Sequence, residues 1–121
     1  MICSSVERID LRRPVRFDER LPATVRWEEP GRVLLVAVGG SGTPGCVPEP
    51  LGAGFDGERV TVTFAPVEPG LMCTMDFRIH AWQLTWPVPF GVTDDLPITL
   101  QDATGRGSQH LATLPLEPGI P

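Results

Sequence analysis

The sequence has no tyrosine, only 2 histidines and only 3 cysteines. No apolar run approaches the roughly twenty residues needed to cross a bilayer as a helix. So few histidines and cysteines leave little for a metal centre, which gathers several such ligands at one point. No phosphate-binding loop, dinucleotide fingerprint, nucleophile elbow or paired metal-ligand spacing occurs, and no cofactor is implied. Long helices are excluded by excess rather than by lack. The 121 residues include 14 prolines and 13 glycines, and a proline inside a helix removes a donor and clashes with the preceding turn. Basic residues are in deficit too. The formal charge of −5 argues against nucleic acid as a partner, since phosphate binding needs clustered cations. Arg8, Arg12, Arg13 and Arg16 do crowd one segment, but Asp10, Asp18 and Glu19 sit among them. That segment reads as a solvated strand surface.

What is present has the balance of a globular protein, with 41% apolar and 21% charged residues. The length suits a single β domain over residues 1–121, with 1–20 as a candidate peripheral N-terminal segment. "VERIDL" and "RPVRFDE" are the first strand candidates. "ATVRWEE" alternates cleanly, placing Ala23, Val25 and Trp27 on one face. Pro30 and Gly31 occupy the central positions of a type II turn, which joins this strand to "RVLLVAVGG". Val33 to Val38 are all apolar, so that strand belongs mid-sheet with neighbours on both faces. "GSGTPGCVPEP" and "VEPGLM" are loops. "LGAGFDGERVTVTFAPV" reads as a hairpin, with Asp56-Gly57 in a type I′ turn and Val60, Val62 and Phe64 facing inward. "LPITLQD" and "QHLATLPL" close the set across the glycine turn "ATGRG". About seven to nine short strands without a helix predict an antiparallel β-sandwich, Ig-like in the broad sense, with a small barrel as the alternative.

"CTMDFRIHAWQLTW" gathers the side chains that would suit chemistry, yet its pattern is that of a strand. Phe77, Ile79 and Ala81 share one face by alternation, and Trp82, Leu84 and Trp86 share the other. One register cannot turn both sets inward. Either a β-bulge near Ala81–Trp82 resets the phase, which is the preferred reading, or the strand is covered on both faces. His80 then falls on the outward face with Arg78, as a partly exposed strand histidine. A catalytic histidine would need a nucleophile and an orienting partner. The second histidine, His110, belongs to another strand. Cys73 and Asp76 lie three residues apart and do not converge with His80.

Of the three cysteines, Cys46 and Cys73 each stand at a loop–strand border, where two segments can be stapled. The expectation is a pair with α-carbons under about 7 Å apart, leaving Cys3 unpaired. Whether the pair is oxidised depends on the compartment.

The stretches "LLVAVGGSGTPGCVPEP", "ERVTVTF", "CTMDF" and "LTWP" together resemble small exported or lipid-anchored actinobacterial proteins. Those proteins carry an apolar strand ending in Gly-Ser, a Cys-Pro loop, a "VTVT" strand, Cys-Thr-x-Asp-aromatic and a Leu-x-x-Pro strand end. The resemblance covers residues 33–101 and implies a compact β-sandwich with Cys46 and Cys73 bridged, and no activity. This chain departs from the pattern in its longer Gly-Ser to Cys spacing and some thirty residues ahead of the shared region. It also shows neither an apolar leader nor a lipid-attachment cysteine. Taken as it stands, "MICSSVERIDLRRP" predicts a cytoplasmic start, whereas the resemblance implies export.

The functional expectation is a non-catalytic interaction or envelope-associated domain with a protein partner. A ligand-binding alternative would use Trp27, Trp82 and Trp86 as an exposed stacking platform for a sugar, although large aromatics more often fill the core. A thiol-dependent enzyme is the third reading, with Cys46 and Cys73 its only chemical handle. It would want a thiolate near a helix N-terminus or a cation, and no helix is predicted. An assembly role through open sheet edges completes the set.

Overall fold

The computed structural model describes residues 1–11, 23–43, 45–65, 70, 72–91, 96–104 and 107–114, with the backbone alone from 102 onward. The chain order is β1 (Ser5–Ile9), β2 (Thr24–Glu29), β3 (Val33–Gly40), β4 (Pro50–Phe55), β5 (Val60–Phe64), β6 (Arg78–Thr85), β7 (Ile98–Thr104) and β8 (Gly107–Leu114). They form two four-stranded sheets, ordered β1-β6-β3-β2 and β4-β5-β7-β8. Both sheets keep open edges, so the all-β fold is a sandwich and not a barrel. "RPVRFDE", Arg12, Arg13 and Arg16 lie outside the described residues.

Alternation builds the core. Val25 on β2, Leu34, Val36 and Val38 on β3, and Trp82 and Leu84 on β6 face Ala53, Val60, Val62, Phe64, Ile98 and Leu100 of the second sheet. Trp86, just beyond β6, is the largest fully buried side chain. The turn between β2 and β3 takes its expected form: Gly31 has φ +73°, and Arg32 N–H donates to Glu29 carbonyl oxygen at 3.0 Å. That is the left-handed position and closing bond of a type II turn.

Four expectations need correction. The sheets are not wholly antiparallel, since β5 and β7 run parallel with Val60 beside Ile98. The chain leaves for the other sheet as β6 between them, and such a crossover returns the next strand in the same direction. The β4–β5 turn is not type I′, because among the described residues only glycines have positive φ, here Gly57 at +98°. Asp56 instead precedes the turn, its carboxylate accepting from the Glu58 and Arg59 amides at 2.8 and 2.9 Å. β7 and β8 both extend into the expected "ATGRG" turn.

The fourth correction concerns β6. Its register with β3 runs unbroken from Val33–Thr85 to Gly40–Arg78, so there is no bulge at Ala81–Trp82. Ala81 is 2% exposed and Trp82 4%: the strand is covered on both faces, the alternative left open by the sequence. Leu35 and Ala37 of β3 are likewise buried but outside the main core cluster. The conflict dissolves because Phe77 and Ile79 stay exposed, and only a small alanine needs cover on the outer face.

The N-terminal residues are built into both sheets. Cys3 N–H donates to Ala53 oxygen at 2.9 Å, Phe55 N–H to Met1 oxygen at 2.7 Å, and Ser4 N–H to Thr85 oxygen at 2.7 Å. Residues 1–3 thus line β4 before the chain crosses to pair with β6 as β1.

Candidate functional site

The chemistry-bearing residues gather where β3 ends and β6 begins. Gly39 and Gly40 close β3, and the absence of side chains there is used. A Cβ on Gly39 would lie 2.6 Å from the Phe77 ring, and one on Gly42 would lie 2.8 Å from both Arg78 Cδ and Asp76 Oδ2. The bare "GGSG" backbone therefore lets residues 72–78 settle onto residues 39–43. Residues 73–77, expected as strand, are instead this loop.

Cys46 and Cys73 are joined by a disulfide, with α-carbons 5.8 Å apart. Cys3 is the free cysteine and packs, half-buried, against the core. Beside the disulfide runs a hydroxyl network whose polarity is fixed by one carboxylate. Thr74 Oγ1 donates to Asp76 Oδ1, so it accepts from the hydroxyls of Ser41 at 2.9 Å and Thr43 at 3.1 Å. Their oxygens in turn accept from the Thr43 amide at 3.1 Å and the Thr74 amide at 3.0 Å. Asp76 also accepts from the Gly42 amide at 3.2 Å and from Arg78 Nε at 2.8 Å. The Thr74 hydroxyl, then Arg78 and the Gly42 amide, hold its carboxyl well below the usual carboxylate range.

His80 lies beneath this network and is buried, at 5% exposure. This corrects the outward, partly exposed placement: with no bulge, His80 shares the core face of Trp82. Its Nε2 is 2.9 Å from the Ser41 carbonyl oxygen, and Arg8 approaches Nδ1. A guanidinium can only donate, so Nδ1 accepts and Nε2 carries the proton. The Arg8 guanidinium also stands over the Trp82 ring, 5.7 Å from its centroid.

Serine, histidine, aspartate and threonine thus meet here, but their wiring is not that of a nucleophile and base. Both His80 nitrogens are committed, one to Arg8 and one to a backbone oxygen, while Asp76 contacts Thr74 rather than the imidazole. Among the described residues, no group of three His, Cys, Asp or Glu could hold a metal ion.

The loop is exposed throughout residues 72–79: Thr74 and Asp76 bond sideways to residues 41–43, and the apolar side chains are left open to solvent. Met72 is 91% exposed, Phe77 69%, Met75 fully, and Ile79 is also exposed. This face went unrecognised because alternation was read as a strand through residues 73–77. The available signal was "MCTMDF", where polar and apolar residues alternate inside a segment pinned by a cysteine.

The tryptophans occupy other ground. Trp82 and Trp86 are buried and Trp27 half-buried, so the exposed stacking platform is overturned. Trp27 and Trp86 do lie near one another, with centroids 6.0 Å apart, but they do so inside the opposite end of the sandwich. Phe90 packs edge-on to both and stacks on Phe55 at 4.1 Å. The indoles were needed to fill the closing end of the core.

No helix among the described residues is long and apolar enough to cross a membrane. The chain matches no protein-family model, and neither a curated protein nor a solved structure shows significant similarity to it.

Proposed function

We propose that the protein is a non-catalytic, Ig-like interaction domain that docks a partner protein through the disulfide-clipped loop. The observation that carries this reading is the pinned, exposed loop: Thr74 and Asp76 hydrogen-bond to residues 41–43, while Met72, Met75, Phe77 and Ile79 stay largely open to solvent. A loop free to choose would bury the apolar side chains. This one is held exposed by a covalent clip and a hydrogen-bond network, which lowers the ordering cost of binding.

The occupant that fits is a protein with an apolar groove and a basic rim. The face projects from a loop, so its partner must be concave. Methionine side chains adapt to irregular apolar walls, and a flexible pair beside a rigid ring suits a groove. The −5 charge steers a basic rim toward it and repels an anionic bilayer. An exported setting, as the actinobacterial resemblance implies, is one in which the disulfide would persist.

The test places a photo-crosslinking residue at Met75 and, as a control, at Val88, an equally apolar exposed position at the other end of the sandwich. A discrete protein adduct at Met75 alone is expected. The purified adduct partner should bind the wild-type chain, and Met75→Ser with Phe77→Ser should weaken that binding at least about tenfold without lowering the melting temperature. Equal adducts at both positions, or unchanged affinity in the double variant, would overturn the reading.

A further inference from the structure

We infer that Cys46–Cys73 is a thiol-exchange site through which a protein dithiol releases the docking face. Only the consequence for docking rests on the function proposed above; the chemistry stands on the disulfide's own surroundings.

Three features carry it. The bond is approachable from one side, because Cys73 lies in an exposed run from Met72 to Ile79 whereas Cys46 is half-buried. Neither cysteine belongs to the core cluster or packs against it, in contrast to Cys3. And β3 and β6 stay paired by their own backbone as far as Gly40–Arg78, so opening the bond leaves the sheet intact. What it frees is the part beyond: the Ser41–Thr74, Thr43–Thr74 and Gly42–Asp76 contacts are exposed, and such bonds exchange with water at little cost once their tether is gone.

The exchange balances within the disulfide and the dithiol. A thiolate of the dithiol bonds to Cys73 Sγ, and Cys46 departs as a thiolate that takes a proton from water. The second thiol of the reductant, on losing its proton, then attacks the mixed disulfide and expels Cys73. Two electrons pass to the chain, and the dithiol leaves as a disulfide. Reduced, residues 41–47 and 72–77 lose their common anchor, and the outward display of Met72, Met75 and Phe77 is no longer preset.

The full chain carrying Cys3→Ser tests this with glutathione and dithiothreitol as probes. Trypsin cuts after Arg32, Arg59 and Arg78 and so separates Cys46 from Cys73. Under native conditions glutathione should form its mixed disulfide on the 60–78 peptide rather than on 33–59. Dithiothreitol should release two thiols with the far-ultraviolet circular dichroism retained. Amide protection at Leu34, Val36 and Leu84 should persist while that at Gly42 and Thr74 drops by about tenfold. A reduction rate that rises with urea in step with the unfolded fraction, or a reduced chain without β signal, would overturn the exchange site. The Met75 crosslink is then compared between oxidised and reduced protein. A reduced yield in the reduced form supports the release, and equal yield in both overturns it. A crosslink missing from both overturns the docking reading and the release with it, while the exchange chemistry, measured with no partner present, stands.

Discussion

Gly31 and Gly57 both hold left-handed backbone, at φ +73° and +98°, but only one is also crowded. A Cβ at Gly31 would lie 1.8 Å from the Phe90 carbonyl oxygen, while at Gly57 nothing lies within 4 Å. Gly57→Ala should therefore show conformational strain alone, about 1 kcal/mol, and Gly31→Ala strain plus displacement of the chain at Phe90, about 3 kcal/mol. Urea unfolding of the two variants checks the order, and equal losses would mean that the 86–90 segment yields freely. Asp76 sets a pH dependence. Its folded-state carboxyl is depressed by the Thr74 hydroxyl, Arg78 and the Gly42 amide. The contribution is complete above about pH 5, where the unfolded chain's aspartate is almost wholly ionised, and is lost as the pH falls through about 4 toward the folded value. Amide protection at Gly42 and Thr74 should fall across that acid window in the wild type. In Asp76→Asn it should be lower at neutral pH and flat through the window.

At the scale of elements, the turn at Pro30–Gly31 and the inward face of β5 were legible because each depends on neighbours in sequence. The partners of β5 and β6 were not. Alternation says which side chains share a face, not which strand lies alongside, so neither the parallel β5–β7 pair nor the double cover of β6 could be read from it. The site was half legible: the two cysteines announced their pairing though not its oxidation, but the exposed loop between Cys73 and Arg78 carries the same alternation as a strand. The N-terminal residues escaped for another reason, since β-addition by residues 1–3 uses backbone groups that every sequence has. Their role is testable. Met1 carbonyl oxygen accepts from both the Phe55 amide and Trp86 Nε1, so removing residues 1–3 bares the β4 edge and leaves an indole N–H unpaired. An orphaned buried donor costs about 1–3 kcal/mol, and an open edge invites pairing between molecules. The truncated chain should unfold at lower urea and elute partly as oligomers. A monomer of unchanged midpoint would show that the clasp contributes nothing.

For the molecule as a whole, the disulfide acts on the unfolded chain more than on the folded one. It spans 27 residues of separation, enclosing β4 and β5, yet it sits outside the core that holds the two sheets together. On the chain-entropy estimate, closing such a loop stabilises by about 3–4 kcal/mol, almost all of it by restricting unfolded conformations. A Cys46→Ser, Cys73→Ser double variant should keep its β-sheet circular dichroism while losing that amount of stability. The slope of free energy against urea separates this from damage to the fold. An unfolded chain released from its cross-link is more expanded and exposes more surface, so the slope should rise as the midpoint falls. If the disulfide instead held the sheets in register, its loss would loosen the native state, and the slope would fall with the midpoint. A falling slope would place the bond among the supports of the sandwich, and a rising one would leave it as a clip on a fold that the two packed sheets maintain by themselves.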